Sequence, residues 1–175
     1  KIEIISANSL DKDELLFPDA NILKGSRNKQ VHLSHDEMDI FSNNAIFFQK
    51  KNKFIATGDV FLKQGDSLEL KCDSLNYDGK IKKFFSYGKV YLINNKTTLN
   101  SNELLYDRKK NVASFFNGGN IIDSLTTIQS KKGDYLLEID KYKFRNDITI
   151  INPDYVIESE SLDYIVGEEK TYFLD

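Results

Sequence analysis

Apolar and polar residues alternate in short runs over most of this chain. Val60 and Leu62, then Leu68, Leu70 and Cys72, put apolar side chains on one face and polar ones on the other, and Thr98-Leu99-Asn100-Ser101 and Tyr155-Val156-Ile157-Glu158-Ser159 do the same. A period of two marks a half-buried β-strand. Gly65-Asp66, Asn94-Asn95 and Asn152-Pro153-Asp154 supply turns between such runs, and Asp78-Gly79 and Asp107-Arg108-Lys109 close the opposite end. Apolar parity shifts between Leu70 or Cys72 and Leu75 or Tyr77, which predicts a bulge or bend near Asp73-Ser74. Helix is plausible only from Asp11 to Leu16, which is short and followed by Pro18. Ser9 to Lys24 is therefore expected as an irregular loop after a first strand at Ile2 to Ser6.

The runs recur. Phe48, Tyr77, Tyr106, Tyr135 and Tyr164 follow one another at 29 residues, as do Phe41, Leu70, Leu99, Ile128 and Ile157. A small residue keeps the same step at Cys72, Ser101, Ser130 and Ser159, and Leu75, Leu104 and Leu162 form a fourth column interrupted by Gly133. Glycine-led segments open the units: Gly58-Asp59-Val60, Gly88-Lys89-Val90 and Gly118-Gly119-Asn120, with Asn146-Asp147-Ile148 lacking the glycine. Val31-His32-Leu33 marks an eroded first unit. Such a period predicts a repeat architecture. Each unit should hold two to three short antiparallel strands, so the chain is a meander of roughly a dozen or more.

Composition narrows the function. A hydrophobic share of 40% with 29% charged residues fits a folded soluble chain rather than a disordered one. No apolar run is long enough to cross a bilayer as a helix. A net charge of -3 argues against nucleic acid as the main partner. One cysteine, Cys72, excludes an internal disulfide. His32 and His35 lack the cysteines and helical frame of a zinc site, so no metal and no cofactor are expected. No secretory signal precedes Lys1, so the chain is either cytosolic or shorn of one.

On these residues the chain resembles the OstA-like family, relatives of the lipopolysaccharide-transport protein LptA. The resemblance runs in order through Lys1 to Leu10, Pro18-Asp19-Ala20 to Gly25, Gly58-Asp59-Val60, Gln64 to Leu68 and Cys72-Asp73-Ser74-Leu75-Asn76-Tyr77-Asp78-Gly79. It continues with Leu104-Leu105-Tyr106-Asp107, Phe116-Asn117-Gly118-Gly119 and Asn152-Pro153-Asp154-Tyr155. It weakens in the first unit, where Gly25 to Val31 and Ser42-Asn43-Asn44-Ala45 depart from the family pattern. The resemblance implies an all-β, open, twisted, V-shaped β-jellyroll. One domain over 1–175 is expected, and Phe173, 29 residues after Phe144, reads as a further repeat beginning, so a longer chain is expected. The resemblance further implies a periplasmic location, with the signal segment removed, and no enzymatic activity. Family members hold lipopolysaccharide acyl chains inside the V and stack end to end into a bridge towards the outer membrane.

Candidate site residues follow from the ladders. Phe41, Leu70, Leu99, Ile128 and Ile157, with Val60, Leu62, Val90, Leu92, Ile121 and Ile148, could form an acyl-chain groove or simply a core. Each large apolar side chain sequestered contributes roughly 1.5–3 kcal/mol either way. The aromatic column could pack or meet carbohydrate. Lys51, Lys80 and Lys109 recur at turns, where they could contact lipid A phosphates or serve solubility; the row breaks at Glu138 and Gly167. Neither end carries a proline block, so edge pairing with another copy or a related jellyroll domain is expected. Two other readings compete. An enzymatic or polysaccharide-binding β-solenoid would need clustered acids, and Asp78 and Asp107 recur but Leu136 does not continue them. A structural or adhesive repeat protein with a closed core would bind no lipid.

Overall fold

The alternating segments become strands, and the longest of them run through a kink. The computed structural model describes residues 1–175 except 96, 166, 167, 169 and 175, so Gly167 lies outside the described residues. Four strands carry the pattern most clearly: β7 (Lys53–Gln64), β8 (Leu68–Asp78), β9 (Lys83–Asn94) and β10 (Thr97–Asp107), followed later by β15 (Lys141–Asn152) and β16 (Tyr155–Ile165). Units were expected to hold two to three short strands; these hold two long ones, of 11 or 12 residues. The reason is that the predicted bend does not end a strand. The ladder shifts register between Thr57 and Val60, Lys71 and Ser74, Ser101 and Glu103, and Arg145 and Ile148, leaving one or two residues between them unpaired, then resumes. In the third unit the kink is a true break, giving β11 (Val112–Phe115), β12 (Gly119–Asp123), β13 (Thr126–Ser130) and β14 (Lys132–Leu136).

Each bulge divides its strand between two arms. The aromatic arm runs from β2 (Ser9–Asp11) through β3 (Asn21–Lys24), β6 (Asn44–Phe48), the first half of β7, the second half of β8 and the first half of β9. It continues through the second half of β10, β11, β14, and the halves of β15 and β16 nearest β17 (Lys170–Phe173). The aliphatic arm starts at β1 (Glu3–Ser6), β4 (Val31–His35) and β5 (Met38–Ser42) and takes the other half of every long strand, with β12 and β13. All pairings are antiparallel, so the molecule is an all-β jellyroll whose two arms face one another across one buried cluster.

The inner faces explain the arms' names. One presents Phe54, Tyr77, Phe84, Tyr106, Phe115, Tyr135, Tyr142, Phe144 and Tyr164; the other presents Val31, Leu33, Ile40, Leu62, Leu70, Leu92, Leu99, Ile128 and Ile150. The kink has a repeated chemistry. Gly58 and Asp59 both take positive φ (77° and 45°), as do Gly88 and Lys89 (73° and 46°), and Asn146 and Asp147 keep the same conformation (67° and 48°) without a glycine. Asparagine and aspartate tolerate this region better than other side chains, which is why the fourth unit could lose its glycine. On the partner strand the small-residue column caps the bulge. Ser42, Ser101, Ser130 and Ser159 Oγ donate to the carbonyl two residues on, at 2.9, 2.9, 3.0 and 3.2 Å, and Cys72 Sγ does so at 3.2 Å. These part-buried carbonyls stand beside the bulge, where the register shifts and a side-chain donor serves them.

The Ser9 to Lys24 segment corrects the expectation of an irregular loop. It contains β2 and β3, which pair with each other and with β6. Between them Asp13 caps a tight turn by accepting the amides of Leu15 and Leu16. These strands are only three and four residues long, too short to display a period, yet Leu23 is wholly buried.

The interior between the arms and its polar mouth

Nine of the eleven candidate groove residues lie together. Val60, Leu62, Leu70, Val90, Leu92, Leu99, Ile121, Ile128 and Ile148 line the inner face of the aliphatic arm, none more than 1% exposed. Ile157 packs against the same cluster at the last strand. Phe41 does not join them: it points outward, stacked between His32 (4.3 Å) and Phe61 (6.2 Å). The first interval of the repeat is 30 residues rather than 29, so Ile40 occupies the core position and Ser42 aligns with Cys72. The same slip puts Phe47 inside and leaves Phe48 outside, with Lys51 over its ring at 5.3 Å.

At the far ends of the arms the aromatic column changes role. Tyr77 Oη lies 2.7 Å from His35 Nδ1, Tyr135 Oη accepts from Asn94 Nδ2 at 2.6 Å, and Tyr164 Oη donates to Asp123 Oδ2 at 3.0 Å. Tyr106 faces Gln64 in the equivalent place, while its hydroxyl donates to Asn111 Oδ1 at 3.3 Å. These four partners all come from the tip of the opposite arm, 41 or 42 residues earlier in the chain. A polar ladder thus crosses the mouth. None of the four partners was recognised from the sequence, although a polar residue closing each apolar run at 35, 64, 94 and 123 was a visible column.

The basic row splits in two. Lys51, Lys80 and Lys109 stand exposed on the tip turns of the aromatic arm. Lys82 and Arg108, from the same turns, reach across instead. Lys82 Nζ meets Asp36 at 2.6 Å, and Arg108 donates to Gln64 Oε1 (2.9 Å), Tyr77 Oη (2.8 Å) and the carbonyls of Asp36 (2.7 Å) and His35 (3.3 Å). Arginine has no acceptor, so Tyr77 Oη accepts from it and is free to donate its hydrogen to His35 Nδ1. His35 is buried, and burial holds its pKa below the ordinary value, with Asp36 at 3.7 Å opposing. The bond from Lys82 holds the Asp36 carboxyl below its usual range. His32 and His35 point to opposite faces of β4, so they cannot share a ligand.

A family model described as OstA-like protein matches residues 1–160. This chain belongs to the OstA-like family. No curated protein matches it. Among solved structures, LptH of Pseudomonas aeruginosa superposes loosely, with 14% identity and a TM-score of 0.32 over 78% of this chain and 80% of that one. LptH is described as the LptA-homologous periplasmic component of a lipopolysaccharide transport device. Membership places this OstA-like chain among transport proteins rather than enzymes. Among the described residues no group of three metal-ligating side chains converges.

Proposed function

We propose that this OstA-like protein is a periplasmic lipopolysaccharide carrier that takes acyl chains between its two arms and passes them along a bridge of similar domains. The observation that carries the reading is the continuous aliphatic ladder facing the aromatic one, closed at the mouth by polar contacts alone. Entry requires the arms to part. The seven bonds across the mouth, three from tyrosines and four from Lys82 and Arg108, contribute about 4–11 kcal/mol together, at roughly 0.5–1.5 each. An acyl chain of about twelve methylenes gains about 10 kcal/mol on leaving water, at ~0.8 per methylene. Lipid therefore offsets the latch, and the core contacts it displaces are exchanged for contacts with the chain itself.

Two further features support the reading. Lys51, Lys80 and Lys109 stand beside the mouth, where lipid A phosphates would emerge. At the ends of the stack the aliphatic arm offers β1, with Ile5 exposed, and the Tyr155–Ser159 half of β16, with Val156 67% exposed. Edges of this kind add strands from a second copy or a related jellyroll.

The test is a photo-crosslinker at Leu99, with one at Lys109 as the surface control, exposed to purified lipopolysaccharide. Adducts at Leu99 that unlabelled lipid competes away support carriage in the interior. A folded protein with no adduct at Leu99 overturns it and favours the closed structural or adhesive protein, the reading that the full burial of Leu70, Leu99 and Ile121 suggests by itself. Sedimentation that stays monomeric up to millimolar concentration would remove the head-to-tail part of the proposal.

A further inference from the structure

On the outer face of the aliphatic arm, Tyr91, Asn100, Asn120 and Gln129 form one cross-strand row, each directly opposite the next on β9, β10, β12 and β13. They floor a groove of about 600 Å³. At the usual strand spacing the row spans about 14 Å. Asparagine is depleted in strands, so local propensity does not account for these amides. They are also unspent: among the described residues none of the three side chains makes a hydrogen bond, and Asn100 Oδ1 is shut from solvent with no donor. Nearer the N-terminus the same row holds His32, Phe41 and Phe61, which are stacked on one another, and then Lys71, which lies over the Phe61 ring and directly opposite Tyr91. The row changes character where the groove begins.

Asn120 and Gln129 each offer two N–H donors and one acceptor oxygen, and Asn100, whose oxygen is shut from solvent, offers its N–H donors, a set that matches neighbouring hydroxyls acting as both donor and acceptor. Tyr91, half exposed at the end of the row, presents a ring on which an apolar C–H face can lie. No charge lies in the floor; of the two rim lysines, Lys131 is tied to Asp147 and Lys89 makes no ion pair among the described residues. We propose that this groove is a saccharide site, which takes a short uncharged oligosaccharide with Tyr91 as stacking platform and Asn100, Asn120 and Gln129 as hydroxyl readers. The site is separate from the lipid interior. Tyr91 and Leu92 are neighbours on one strand and point to opposite faces.

The experiment is a ¹H–¹⁵N NMR titration of the whole chain with maltotriose, cellotriose, mannotriose and chitotriose. At least one should give saturable shifts confined to β9, β10, β12 and β13, with a Kd of about 1 mM. Tyr91→Ala should weaken that binding about tenfold, and Gln129→Ala about fivefold. Both positions are exposed, so both variants should keep the wild-type spectrum elsewhere, and Gln129→Ala decides if Tyr91→Ala does not fold. Lipid crosslinking at Leu99 should be unchanged in both, which separates this site from the carrier reading. Silence from all four sugars, shifts on another face, or unaltered affinity in both variants would overturn the proposal.

Discussion

The two arms are built from the same repeat and the same strands, yet they solve different problems. The aliphatic arm is a branched-chain wall, closed at its tip by a polar residue in every unit. The aromatic arm carries rings whose hydroxyls reach over to those residues. Bulk apolar burial does not tell one partner from another, whereas a hydroxyl 2.6–3.0 Å from its partner fixes distance and register. One arm therefore supplies most of the cohesion, and the other decides where the arms meet.

That division can be broken at several depths. Truncating the walls should cost most. Phe144→Ala is expected to lose about 3–5 kcal/mol and Leu99→Ala about 2–5 kcal/mol, read as shifts in the urea midpoint. The mouth comes next. Tyr77→Phe strands His35 and Arg108 and should cost about 1–3 kcal/mol, while Tyr106→Phe, whose bond to Asn111 is long at 3.3 Å, should cost about 0.5–1.5 kcal/mol. Because Tyr77→Phe loosens the latch without shortening either wall, it should also raise lipid crosslinking at Leu99. A loss of crosslinking in this variant would mean that the mouth is part of the lipid site rather than its closure.

A smaller effect tests the mouth by pH. The folded-state pKa of His35 lies below its ordinary 6.5, so the unfolded chain takes up a proton first. The stability this residue lends is whole above about pH 6.5 and is lost as the pH falls from there to the folded value. His35 faces Asp36, Lys82, Arg108 and the N-terminal ammonium. Only Asp36 among these titrates at acid pH, and its lowered pKa confines its loss to the range below about pH 3.8, so the windows are distinct. His35→Gln, which keeps a polar partner for Tyr77, should flatten the urea midpoint between pH 6.5 and 5. The least effect is expected from Lys80→Ala and Lys109→Ala, within about 0.5 kcal/mol of the parent.

Much of this was legible in the sequence, because period two and period 29 survive in the long strands. The bulge showed as a change of parity at Asp73-Ser74. Phe41 and Phe48 were misassigned because the count of 29 was carried through an interval of 30, and a one-residue error exchanges inside for outside. The smallness of Cys72, Ser101, Ser130 and Ser159 was visible, but their bond to a carbonyl freed by the bulge depends on backbone geometry. His35, Gln64, Asn94 and Asp123 resemble turn residues until the chain folds back and lays them against the tyrosines. Lys82 and Arg108 read as rim charges for the same reason.

The bulge also sets the grain at which this molecule can change length. Every unit enters and leaves by the same turn and crosses between arms once in each direction, so one unit can be cut out while its neighbours find equivalent partners. Excising the 29 residues Gly79–Asp107 joins Asp78 to Arg108 and should yield a shorter chain that still melts cooperatively. Excising 28 would leave one odd residue for a turn to absorb, as happens between the first two units, where the β7–β8 turn is one residue longer than the β4–β5 turn. The architecture behaves as a ruler marked in whole units, with the turns taking up the single residues by which the marks differ.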